Sequence, residues 1–500
     1  MRNLDTPVKQ IRRKIFTEIA KIGFESTDES LIHDIESIPY NIVEERAKYR
    51  ESIYRERAVA SERVRLAMGL SLRPENRSVH LTDGVKASNI DEKYYEPPLM
   101  QVIPSACSAC ESNKYEVSNM CRGCVAHPCL LTCPKGAISM VNGHSYIDQE
   151  KCVHCGKCKS VCPYDAISKK ERPCSRACGV KAIGSDEFGR AKIDNEKCVS
   201  CGMCMVSCPF GAISDKSQIY QLARSLKEGN EIIAEIAPAF VGQFGSMEPK
   251  DVHAALETLG FSEVYEVALG ADIGAVSEAR HYAEKVATGE LPFLLTSCCP
   301  SWSMLAKKYF PTMIDNISQE LTPMVATARS IKQEHPNAKV VFIGPCAAKK
   351  LEASRRSVRS DVDFVITFEE LVGMFDAKGI DMGEKENAHS MHDATAAGRG
   401  YAVAGGVAGA IEECLKAYYP DVTPKIIHAE GLAECKKTLA LAKAGKINGC
   451  LIEGMGCPGG CIAGAGTNLP LNKAAAKVKW FKSVSSKQLP PKELAEIELK

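Results

Sequence analysis

Three short blocks in the C-terminal half of this chain gather five cysteines at spacings suited to metal chemistry. The first is Thr296-Ser297-Cys298-Cys299-Pro300-Ser301-Trp302, and the second is Gly344-Pro345-Cys346-Ala347-Ala348-Lys349-Lys350-Leu351-Glu352. The third runs from Glu453 through Cys457-Pro458-Gly459-Gly460-Cys461 to Gly466. Neighbouring thiols point in different directions, so one of Cys298 and Cys299 can bind a metal while the other handles protons. Glycines crowd the C-x3-C of the third block, as expected where backbone passes close to a bulky inorganic group. Taken singly, each block also reads as a buried inert thiol, a catalytic thiol or a tight turn.

The elements that must position these blocks are short apolar runs. Ile232–Ile236, Phe293–Leu295, Val340–Ile343 and Cys450–Ile452 read as buried strands, alternating with helical stretches such as Ala275–Ala287 and Val407–Ala417. This predicts an α/β domain over residues 221–472. Three of the four strands run straight into a cysteine-bearing loop, which is where open parallel sheets hold their ligands. The tail 473–500, lysine-rich with Pro490-Pro491, reads as peripheral.

Sixteen of the 24 cysteines fall between Cys107 and Cys208, none precedes them and eight follow. In a long chain without an export signal, clustered cysteines are metal ligands more often than disulfides. Cys152, Cys155, Cys158 and Cys162 form C-x2-C-x2-C-x3-C-P, repeated by Cys198, Cys201, Cys204 and Cys208. This is the two-cluster ferredoxin run, in which three thiolates hold one [4Fe–4S] cube and the fourth reaches another. Zinc is the alternative, though it rarely uses three cysteines at this spacing.

Cys121, Cys124, Cys129 and Cys133 give a C-x2-C-x4-C-x3-C-P variant. Crossing over between arms yields one cube on Cys121, Cys124, Cys129 and Cys162, and a second on Cys152, Cys155, Cys158 and Cys133. Cys178 completes a third with Cys198, Cys201 and Cys204. Cys107, Cys110, Cys174 and Cys208 remain, the number a fourth cube needs; a zinc knuckle or unliganded thiols are the alternatives. Four phrases, beginning at Cys133, Cys162, Cys178 and Cys208 and ending in Ala-Ile, mark an internal repeat held together by its clusters. The predicted ferredoxin-like domain spans 99–220. Cys414, Cys435 and Cys450 lack ligand spacing and read as structural thiols.

Residues 1–98 read as a helical segment, with Val8–Ile22 and Ile32–Val64 at helical spacing, Glu44–Arg65 as a solvated face, and Tyr94–Pro98 as a linker. Charge is balanced, 63 basic against 62 acidic residues, and aromatics make up 6%. Neither favours nucleic acid or an anionic membrane. No apolar run is long enough to span a bilayer and the first residues lack a signal-peptide core, which predicts a soluble cytoplasmic protein.

The three C-terminal blocks closely resemble the signature motifs of the [FeFe]-hydrogenases, and the preceding cysteine domain resembles that family's ferredoxin-like relay. The resemblance covers about residues 100–470. It implies an α/β, two-lobed catalytic domain with parallel sheets, preceded by the duplicated ferredoxin-like domain and the helical segment. It implies an H-cluster, a [4Fe–4S] cube joined to a di-iron unit with CO, cyanide and an amine-dithiolate. By resemblance Cys299, Cys346, Cys457 and Cys461 hold the cube, with Cys461 bridging to the di-iron unit. Cys298 passes protons to the amine, Lys349 hydrogen-bonds a cyanide, Met455 packs against the di-iron unit, and Ala237-Pro238 forms the cofactor wall. Glu278 and Ser318 fall on the family's relay carboxylate and hydroxyl; without the alignment, Glu278 reads as a surface helix residue.

Several positions depart from the family. Gly344, Met324 and Ala239 replace a methionine, a glutamine and a serine of the pocket, and His281 and Lys285 replace outer relay groups. They imply a looser, less polar di-iron pocket in a divergent subgroup. The implied activity is reversible interconversion of protons, electrons and H2 in an anaerobic setting. Its implied partners are a ferredoxin-like redox protein and maturation proteins. Two other functions stay open: an iron–sulfur assembly or scaffold protein without the di-iron unit, and a hydrogen sensor of low turnover.

Overall fold

The computed structural model describes residues 5–88, 97–111, 113–359, 361–383, 391 and 394–499. Two sheets carry the C-terminal half, each with all neighbouring strands parallel. The first orders its strands Glu263–Glu266, Ile232–Ile236, Lys339–Gly344, Phe364–Thr367. The second orders them Phe293–Leu295, Cys450–Met455, Lys425–Glu430. Every residue of Ile232–Ile236, Phe293–Leu295 and Cys450–Met455 is buried, as parallel strands covered on both faces require.

The fold is thus α/β in two lobes, as expected, and all four expected strands form. The helical stretches also form, as Ala268–His281 continued by a π turn Tyr282–Val286, and as Gly406–Tyr418. Glu263–Glu266, Phe364–Thr367 and Lys425–Glu430 are additional strands. All three lie at sheet edges, and two carry charged residues that blur the apolar signal.

Residues 100–215 make four short antiparallel ladders, among them Lys114–Val117 with Ile167–Lys170 and Met100–Val102 with Ile213–Asp215. The sequence repeat is also a conformational repeat. The fourth residue of each phrase, Gly136, Asp165, Lys181 or Gly211, has a positive φ of 57°, 47°, 54° or 58°. That left-handed turn folds the next amide back onto the phrase's own cysteine. Ala137, Ala182 and Ala212 donate N–H bonds to Cys133, Cys178 and Cys208 sulfur at 3.3, 3.2 and 3.3 Å. The third phrase has Gly179 where the others have proline, and a Cβ there would stand 2.7 Å from Ala433 backbone nitrogen. Close approach of the helix Leu432–Lys443 accounts for that departure.

The N-terminal part corrects two expectations. The continuous helix over 32–64 is instead Leu31–Ile42 and Ile53–Ala67, separated by an irregular stretch. Nor is Glu44–Arg65 wholly a solvated face, for Glu62, Arg63 and Arg65 are buried. Arg65 is satisfied there by donating to the carbonyls of Ser71, Leu81 and Asp83 at 2.8–2.9 Å. Of the expected linker, Tyr94 to Glu96 lie outside the described residues.

The first helix, Pro7–Glu25, lies across both halves of the molecule. Phe16 fills the space at Gly373, and Gly23 meets Ala223. Arg12 pairs with Glu369 at 3.0 Å and approaches Asp215 at 3.7 Å. Asp215 also meets fully buried Lys350 at 2.7 Å, and Lys350 meets Glu370 at 2.8 Å. The C-terminal tail is not peripheral. Its helix Leu471–Ser483 buries Phe481 against Phe240, edge to face at 5.5 Å, and Tyr418 donates to Pro490 carbonyl at 2.6 Å. The alternation of lysines with apolar residues there is an amphipathic helix rather than a solvated end. Among the described residues no helix is long and apolar enough to cross a membrane.

Candidate metal centre

The strands position the cysteines. Cys298 and Cys299 follow strand Phe293–Leu295, with Cys299 capping helix Pro300–Tyr309; Cys346 follows strand Lys339–Gly344; Cys457 and Cys461 follow strand Cys450–Met455. All five line one cavity between the two lobes. Ala237, Pro238, Met324, Lys349 and Met455 line it too. The sequence-predicted wall is therefore brought together, with Gly344 just behind Phe342.

The donor set fits an iron–sulfur cube. Thiols are soft ligands of the kind such clusters take, and no carboxylate or imidazole is among the described residues lining the cavity. Gly456 N–H donates to Cys299 sulfur at 3.4 Å. Gly460 has φ +83°, and a Cβ on it would overlap the backbone of Val403 and Ala404. A Cβ on Gly464 would overlap Pro345 carbonyl oxygen. The glycines let the third block fold tightly against its neighbours, so both of its cysteines face inward. Burial raises the thiols of Cys346 to about 11 and Cys461 to about 12, so metal binding must displace protons from them.

The expected looseness at Gly344 is not found. A Cβ at 344 would stand 2.5 Å from the ring of Phe342, which lines the cavity and occupies that space. The lost side chain is made good two residues earlier, on the same face of the strand. Ala239 and Met324 are fully buried and line the cavity, keeping its wall apolar as expected.

Behind Cys298 lies a buried polar series. Glu278 is 4% exposed, so it is no surface residue. Burial pushes its carboxyl up to about 7, offset in part by hydrogen bonds from Ser318 hydroxyl and Ser297 N–H. Cys298 thiol is driven well upward by burial and by the charge of Glu278. Farther out, Lys285 pairs with exposed Glu290 at 2.6 Å. Lys349 is held by Thr322 hydroxyl at 3.1 Å and Glu352 at 2.7 Å; burial opposes its charge, and Glu352 together with Cys346 and Cys298 raises it on balance.

Three residues at the site escape sequence reasoning. Phe342 is one. Tyr401 lines the cavity, its hydroxyl without a partner among the described residues, in the field of Glu278 and Cys298. Glu235 is fully buried in the strand leading to Ala237, with neither carboxylate oxygen partnered among the described residues, and burial raises it far above the usual carboxylate range. Only a carboxylate inside the apolar run Ile232–Ile236 could have signalled it.

The remaining cysteines form neighbourhoods. Cys133, Cys152, Cys155 and Cys158 line one small cavity, and Ser145 hydrogen-bonds both Cys121 and Cys129. Cys201 and Cys204 each feel the charges of Cys178 and Cys198. Cys110 and Cys174 each feel those of Cys107 and Cys208. Cys201 also lines the large cavity beside Cys299.

The family profile for the iron only hydrogenase large subunit, C-terminal domain, matches residues 230–465, and the 4Fe-4S binding domain matches 145–168 and 191–214. The periplasmic [Fe] hydrogenase large subunit of Nitratidesulfovibrio vulgaris is 28% identical over 64% of this chain and 85% of its own. Over residues 230–465 the chain is similar to the [FeFe]-hydrogenases. Iron hydrogenase 1 of Clostridium pasteurianum is 28% identical to the hydrogenase-like chain over 47% of it and 48% of that protein, under half the relative's length. The cytosolic Fe-S cluster assembly factor NAR1 of Meyerozyma guilliermondii is 28% identical over 29% of each.

Proposed function

We propose that this hydrogenase-like chain is an iron-only hydrogenase catalysing 2H⁺ + 2e⁻ ⇌ H₂ with an H-cluster held by Cys299, Cys346, Cys457 and Cys461. The observation that carries the reading is one cavity lined by those four thiols and a fifth, Cys298, backed by buried Glu278 and Ser318. When bound, the H-cluster supplies the iron at which hydrogen is split and the amine that takes its proton.

The chain's own residues do the rest. Cys298 holds a proton at its sulfur, since burial and Glu278 disfavour its thiolate. Glu278, near 7, exchanges protons at neutral pH with little bias, and Ser318 hydroxyl, bonded to that carboxyl, conducts outward. Lys349 presents a fixed cation to the cavity, and Met324, Phe342 and Met455 keep water out. Four [4Fe–4S] clusters on the sixteen upstream cysteines relay electrons from a ferredoxin-like partner. The working division is 1–98 helical, 99–220 electron relay, 221–472 catalytic and 473–500 tail, in a cytoplasmic protein loaded by maturation proteins.

Infrared bands of bound CO and cyanide in the matured protein, together with hydrogen evolution from a reduced donor, test the reading. Cluster iron without those bands would favour the second reading, an iron–sulfur assembly role, which the similarity to NAR1 supports.

A further inference from the structure

The N-terminal helices bring an uncompensated cation to the fourth cysteine group. Arg63, on helix Ile53–Ala67, is 6% exposed. One Nη donates to Gly211 carbonyl, while Nε has no partner among the described residues. Burial, then the charges of Arg12 and Arg50, press its guanidinium down to about 10. The anionic groups that reach it are Glu369, already paired with Arg12, and Cys208. A buried guanidinium without a counter-charge of its own is strongly disfavoured. Something anionic belongs beside it.

Two further arginines converge on the same place. Arg50 donates to Phe210 carbonyl at 3.0 Å and feels Cys208. Arg172, buried, donates twice to Cys110 carbonyl, at 3.1 and 2.9 Å, and favours the thiolates of Cys110 and Cys174.

We infer that Arg63, backed by Arg50 and Arg172, is the counter-charge of a [4Fe–4S] cluster on Cys107, Cys110, Cys174 and Cys208, through which the N-terminal helices raise that cluster's reduction potential. The inference rests on the four-cluster reading. A cube on four thiolates is anionic and more so when reduced, so fixed cations favour reduction. N–H bonds to its sulfurs, from Ala191 to Cys107 at 3.4 Å and Ala212 to Cys208 at 3.3 Å, have counterparts at Cys133 and Cys178 of the other cubes, so the arginines are what distinguish this site. Cys174 lies within the field of Cys204, so this cube would store an electron one step before the cube beside the catalytic cavity.

The test is a redox titration of the matured full chain followed by electron paramagnetic resonance, beside an iron count. Arg63→Gln should move one cluster's midpoint to more negative potential, leave the others in place and keep the iron content. Arg63→Lys should restore most of the shift. Unchanged midpoints in Arg63→Gln with full iron would overturn the inference, as would a midpoint that follows added phosphate instead of the residue. Wild-type protein short of one cube's iron would overturn the four-cluster reading itself. If Arg63→Gln does not fold, Arg50→Gln carries the same expectation, a smaller shift in the same direction, and its absence counts equally against the inference.

Discussion

Cys201 and Cys299 face the same cavity, and the charge of Cys299 opposes ionisation of Cys201, whose thiol burial has already raised to about 12. They belong to different parts of the chain, one to the ferredoxin-like repeat and the other to the strand-end block of the second sheet. Ser301 hydroxyl fastens the two by donating to Val199 carbonyl at 3.1 Å.

If electrons cross at this contact, Cys201→Ser should separate electron delivery from hydrogen chemistry. Hydrogen evolution driven by a ferredoxin-like donor should fall at least tenfold, while hydrogen–deuterium exchange, which needs no external electrons, persists. Parallel loss of both would show instead that the catalytic cavity has been disturbed.

Cys298→Ala should retain cluster iron and nearly abolish turnover, because no other thiol of the cavity wall is free of a proposed ligand role. Near-normal hydrogen evolution from this variant would sink the proposed relay.

Glu278 gives a pH signature of defined sign. Its folded-state value of about 7 lies above the ordinary 4.5, so its contribution to stability is fully present below 4.5 and is lost as pH rises through 7. Wild-type protein should therefore lose stability relative to Glu278→Gln between pH 5 and pH 8, by up to about 3 kcal/mol. Denaturation midpoints of both proteins at the two pH values check this; a constant difference would mean Glu278 does not titrate there.

Lys350→Met removes the shared cation of Asp215 and Glu370 in a fully buried setting. The expected cost is about 3–5 kcal/mol, the penalty of leaving buried carboxylates unpaired. Urea unfolding measures it, and a change under 1 kcal/mol would show that water reaches the cluster of charges.

Gly344→Ala should destabilise by about 1–3 kcal/mol through overlap with Phe342. The penalty should largely vanish in a Phe342→Ala background, so the two substitutions are expected to be strongly non-additive.

Ligand spacing is local, which is why the cysteines and the strands that carry them were legible: a thiol set and its preceding apolar run sit within ten residues of one another. Charge pairing is not local. Arg63 and Lys350 look like surface cations in sequence, since Gly211 and Asp215, which meet them, lie 148 and 135 positions away. Glu278 became legible only through the aligned motifs, its partner Ser318 lying forty residues on. Gly344 misled because its compensation, Phe342, acts through the pleat of the strand.

The ion pair between Arg12 and Glu369 joins residues 357 positions apart. During synthesis, helix Pro7–Glu25 therefore waits for this anchor until 357 residues beyond Arg12 have been made. The cysteines from 107 to 208 emerge within that interval, before the anchor that holds this first helix, with Val8 against Gly211, exists. Contacts of such long sequence separation form late, leaving a period in which iron and sulfide can be delivered before the cover closes.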